Sequence, residues 1–130
     1  MKNLPAGADL LAIARETMLS ELRPRVDGDA RYTLAMVANA MTIAAREIEA
    51  GDAPLREALA RLDALFGVPP RALDGEALLQ ALREHDRRLA ADIGSGAFDM
   101  HDAKRVAVLA HLRESVAARL RISNPKILTD

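Results

Sequence analysis

The stretch that most constrains this chain is residues 29–50, DARYTLAMVANAMTIAAREIEA. Steps of three and four from Tyr32 reach Met36, Asn39, Ile43 and Arg46, and steps from Leu34 reach Val37, Met41, Ala44 and Ile48. Two separate stripes of one helix are therefore largely apolar, whereas a surface helix needs only one. Asn39, Thr42 and Arg46 interrupt the segment too often for a membrane span. Such a helix is expected at the buried centre of an all-α domain, with its alanines letting neighbouring helices approach closely.

A chain of 130 residues has the size of one domain and can bury roughly two-thirds of its unfolded surface. It holds no cysteine, which excludes a disulfide scaffold. Asp9, Arg15 and Glu16 break the N-terminal apolar stretch below signal-peptide length, and no run approaches ~18 apolar residues. A cytoplasmic protein with no membrane contact is expected. Its 18 basic and 19 acidic side chains lack the electrostatic footprint of a nucleic-acid binder. Tyr32, Phe66 and Phe98 are its only aromatic residues, so bases would find few stacking platforms. No stretch alternates with period two, and the fold class is all-α: five helices bundled around the second.

Taken in order, the pattern predicts a flexible lead over residues 1–8 and a first helix capped near Asp9, with Leu11, Ala14, Met18 and Leu22 on one stripe. Pro24 should stop it near Arg23. Asp27-Gly28 turns the chain and Asp29 caps the second helix, short linkage making the two antiparallel neighbours. Gly51 suits a left-handed helix end, and Asp52 with Pro54 opens a third helix bearing Leu55, Leu59, Leu62 and Phe66 on one side. Gly67 and Pro69-Pro70 close it. The fourth helix opens at Asp74 or Gly75 and carries Leu78, Leu82, Leu89 and Ile93. The polar run Glu84, His85, Asp86, Arg87 and Arg88 must wrap that helix completely, so part of it either reaches the core or marks a contact surface. A Gly-rich link over 94–102, anchored by Phe98 and Met100, leads to a fifth helix from Asp99 or Asp102. Val106, Leu109, Leu112, Val116 and Leu120 form its stripe, and Asn124-Pro125 ends it before a short tail over 126–130.

Catalytic, metal and cofactor motifs are missing. His85, His101 and His111 form no HExxH or Glu-x-x-His pairing, and His111 with Glu114 on one helix face is expected to be a surface ion pair. Gly94-Ser95-Gly96 lacks the residues of a phosphate loop, and no GxSxG elbow is present. Two candidate sites remain. Asn39, with Tyr32 two turns before and Arg46 two turns after it, puts polar groups on a helix expected to be buried, where each must find a partner. Local satisfaction is the plain reading. An interhelical ligand pocket of Tyr32, Asn39 and Arg46, completed by Arg119 and Asn124, is the functional one. The second candidate is the run His85, Asp86, Arg87 and Arg88, either a solvated face or a partner-binding patch. Self-association through helices four and five is a further expectation.

Four segments, LLAIARETMLSEL, RYTLAMVANAMTIAAREIEAG, LREHDRRLAADIGSG and HLRESVAARLRISNP, resemble a family of small all-helical bacterial proteins classed as a domain of unknown function. V-A-N-A at Val37 to Ala40 and R-E-x-E at Arg46 to Glu49 carry the likeness, while residues 52–74 are not specific to it. Members are often encoded beside acyl-CoA dehydrogenases and phosphotransferases of the aminoglycoside-kinase type. The resemblance implies a place near acyl-CoA or related small-molecule metabolism rather than an activity; together with the missing catalytic motifs it makes a non-catalytic accessory or interaction protein the expectation, with a neighbouring acyl-CoA dehydrogenase or kinase-like enzyme as its partner. It supplies no catalytic residues and no cofactor. A small-molecule binding protein or an enzyme using the Asn39–Arg46 pocket is the alternative.

Overall fold

The computed structural model describes residues 3–129, which form five α-helices and no strand. The chain divides into two compact units, Met1–Gly51 and Asp52–Asp130, each with its own packing. The ends of the expected lead and tail, residues 1–2 and 130, lie outside the described residues.

In the first unit α1 spans Gly7–Thr17 and runs on through a π-helical turn, Met18–Leu22, and a 3-10 turn, Arg23–Arg25. Ala6, not Asp9, is the N-cap. Asp9 sits three residues inside, where its Oδ2 accepts the Ala6 N–H at 3.1 Å and its charge complements the helix dipole. Pro24 does not break the helical path at Arg23, because it enters the first positions of the 3-10 turn, where a missing N–H costs nothing. α2 spans Gly28–Ala50 with Asp27 as its N-cap, and ends at Gly51, whose φ of 57° only glycine adopts freely. The two helices pack antiparallel: a Cβ on Gly7, at the start of α1, would lie 3.7 Å from the tip of Ile48, near the end of α2.

The second helix is not a buried centre. Of its 23 residues only Ala38 is buried, while Tyr32, Met36, Val37 and Ile48 are exposed and Leu34, Met41, Ile43 and Ala44 are half-buried. Within its unit α2 has one helix, α1, to pack against, and a two-helix pair can cover one stripe of each member. Its second apolar stripe has no third helix in that unit to bury it.

The second unit holds the core. α3 (Ala53–Leu65), α4 (Gly75–Gly94) and α5 (Ala103–Ser123) are followed by a 3-10 turn, Pro125–Leu128, with α3 contacting both α4 and α5. Leu59 and Leu62 from α3, Leu78, Ala81, Leu82 and Leu89 from α4 and Val108 from α5 are buried together, with Leu55, Phe66, Leu73 and Phe98 packed around them. Asp74 is the N-cap of α4, and the Asp102 carboxylate accepts the Arg105 N–H at 3.1 Å as the cap of α5. Phe98 anchors the link between those helices, whereas Met100 is exposed. Ile93 is exposed as well, since it lies in the last turn of α4, beyond the buried cluster.

The fifth helix faces the other way from its longest apolar stripe. Val108 and His111 are its buried residues, whereas Val106 (67% exposed), Leu109 (40%), Leu112 (39%) and Val116 (57%) point outward. The two sets lie on different sides of the helix, so α5 has an apolar outer face and a mixed apolar and polar core face. The core side is taken by the face that brings His111 to Arg61 of α3.

Candidate functional site

The polar run on α4 divides residue by residue. Leu78, Leu82 and Leu89 repeat at four and seven, and the place left open between Leu82 and Leu89 falls on His85. The imidazole is accordingly buried, 8% exposed, in the stripe of leucines. Asp63 follows Leu62 on α3 and is buried more deeply still. Their side chains meet with His85 Nε2 2.7 Å from Asp63 Oδ1. Arg71, in the link after Pro69-Pro70, forks onto the same carboxylate, Nη2 donating to Oδ1 at 3.0 Å and Nε to Oδ2 at 3.2 Å. Bidentate guanidinium–carboxylate pairs are among the stronger hydrogen-bonded pairs.

Burial pushes the Asp63 carboxyl up. The hydrogen bonds from Arg71 and His85, with their charges, outweigh that and hold it below the ordinary carboxylate value. An ionised carboxylate at 2.7 Å requires the proton between the two groups to sit on His85 Nε2. The Phe66 ring stacks on this imidazole, centroids 5.1 Å apart and planes at 28°, and the Arg88 guanidinium lies 4.2 Å from the Phe66 centroid. Both Asp63 oxygens and the Nε2 proton are thus committed within the fold. The cluster ties the α3–α4 link to both helices.

His111 is buried on α5 by a second polar arrangement. Arg61 Nε donates to His111 Nδ1 at 3.3 Å, which places the ring proton on Nε2, 3.5 Å from Ser115 Oγ. The serine oxygen therefore accepts, and no base is aimed at its hydroxyl. Burial first, and then the Arg61 charge, lowers the His111 pKa below its ordinary value, with Asp86 opposing. His111 and Glu114 are not a surface ion pair, since the ring is turned into the unit.

Tyr32 and Asn39 are exposed and Arg46 is half-buried, all three on α2 of the first unit. Arg119 on α5 and Asn124, which caps its end, are exposed in the second. The premise that the Asn39 amide is shielded from water does not hold, because α2 is mostly exposed around it. In the run on α4, Asp86 and Arg87 are exposed and Arg88 is laid over Phe66. Asp63, Arg61 and Arg71 were not singled out by sequence, though an aspartate four residues after Leu59, inside a leucine stripe, was the available signal.

A shallow groove of about 320 Å³ lies between α5 and the last 3-10 turn, lined by Leu112, Arg113, Val116, Ala117, Leu120 and Leu128. Its lining is apolar except for one guanidinium. Among the described residues, no three His, Asp or Glu side chains converge as metal ligands would, and no helix is long and apolar enough to cross a membrane.

These observations define an all-α protein whose buried polar groups lock helices together and whose fifth helix leaves an apolar face exposed. The chain belongs to the family described as Domain of unknown function (DUF6285), whose model matches residues 24–127. No curated protein and no solved structure matches it.

Proposed function

We propose that this protein is a non-catalytic accessory protein of the cytoplasm that docks onto an enzyme through the outer face of α5. The observation that carries the reading is that face itself: Val106, Leu109, Leu112 and Val116 present a continuous exposed apolar strip beside the groove closed by Leu128. Contiguous exposed apolar surface on a small protein marks an interaction site. The commitments of the buried groups agree with it, since the Asp63–His85 pair joins α3 to α4 and the Arg61–His111 hydrogen bond joins α3 to α5.

The resemblance drawn from the sequence supplies the setting, acyl-CoA or related small-molecule metabolism, with an acyl-CoA dehydrogenase or a kinase-like enzyme as the partner. Co-elution of the purified chain with each of these enzymes tests the reading. Binding should survive in Asp86→Ala and be lost in Val116→Gln; if neither enzyme binds or changes activity, the accessory role fails. The competing proposal, a ligand held by Asn39 and Arg46, predicts a higher melting temperature with acyl-CoA esters, because a ligand that binds only the folded state stabilises it.

A further inference from the structure

We propose that the partner element seated on α5 is an acidic amphipathic helix; the inference rests on the docking reading above and specifies its chemistry. From Val106 to Leu120 the strip is about 21 Å long at the rise of an α-helix, enough for about four turns of a partner helix. Helices seat in such grooves through apolar residues spaced three and four apart.

Charge selects among the possible occupants. α5 carries Lys104, Arg105, Arg113, Arg119 and Arg121 against one acidic residue, Glu114. At about 100° per residue, Arg113 falls within the strip and Arg119 on its edge, while Glu114 lies a further step round the helix and off it. Neither Arg113 nor Arg119 is engaged in an ion pair among the described residues. The docking surface is therefore apolar along its axis and positive at its middle and margin. A partner helix with leucine-like residues on one side and Glu or Asp flanking them complements both properties.

A second copy of this chain is the poorer occupant. Arg113 is the midpoint of the strip from Val106 to Leu120, so a two-fold pairing centred on the strip sets Arg113 against Arg113. Like charges would meet at the centre with no acidic residue of the strip to separate them.

The test uses the full chain and two fluorescent helical peptides with the same leucine spacing, one flanked by Glu and one by Lys, read by anisotropy at low and high salt. The acidic peptide should bind, weaken as salt rises, and lose at least tenfold in affinity with Val116→Gln. Arg113→Glu with Arg119→Glu should reverse the preference toward the basic peptide. Circular dichroism of each variant establishes that it is folded. Equal binding of both peptides, or affinity unmoved by the double reversal, overturns the proposal. So does binding to vesicles of anionic phospholipid with none to the peptide, or a chain that sediments as a dimer and becomes monomeric with Val116→Gln. If an enzyme partner is lost with Val116→Gln yet indifferent to the charge reversal, docking through α5 stands and the acidic-helix inference falls.

Discussion

Burial first, and then the Arg61 guanidinium whose N–H donates to Nδ1, hold His111 as a neutral ring. Its folded pKa lies below the ordinary 6.5, so between those two values the unfolded chain binds more protons than the folded one. Stability is then intact above about 6.5 and falls as pH drops toward the depressed folded value. Urea midpoints measured at about pH 7.5 and about 5.5 should decline with acidity in the natural chain and decline less in His111→Gln; equal slopes would contradict the assignment. Asp63 acts in a separate window. Its carboxyl is held below the ordinary 3.8, so its contribution persists above that value and disappears only as pH falls through the lower folded one. Asp63→Leu leaves the buried His85 N–H unpaired, an expected cost of about 1–3 kcal/mol in denaturant unfolding. A neutral result would mean that the histidine finds another acceptor.

Among the elements, α3, α4 and α5 carry the core, and each side of α5 has a different energetic meaning. Leu62 is 1% exposed, and Leu62→Ala should cost about 2–5 kcal/mol. Val116→Gln, on the outer face, should change unfolding free energy by no more than about 0.5 kcal/mol; a cost near that of Leu62→Ala would show that the face is packed. The contrast also explains what could be read from sequence. Helix positions and the leucine stripes of α3 and α4 were legible because apolar residues there sit on one side only, and capping residues such as Asp74 and Asp102 mark the starts. Periodicity misleads where an apolar stripe is not the face that packs. It placed α2 at the centre because both its stripes are apolar, and it picked on α5 the longer stripe, which faces outward. His85 was legible in principle, as the vacant position in its stripe. The Asp63–Arg71 pairing was not, because a contact between a helix and a link eight residues on has no period at all.

At the scale of the molecule, the net charge of −1 conceals a basic fifth helix. Association through that helix should therefore weaken with salt even though the whole chain is nearly neutral. The most direct measurement exploits the lack of cysteine in the chain: a Val116→Cys thiol is the only one present, and its rate of maleimide labelling reads the exposure of the α5 outer face. In the free folded chain it should label nearly as fast as a thiol in an unfolded peptide, and the Glu-flanked helical peptide should protect it. Labelling as slow as that of a Leu62→Cys control, or a rate that the acidic peptide leaves unchanged, would contradict a free docking face on α5.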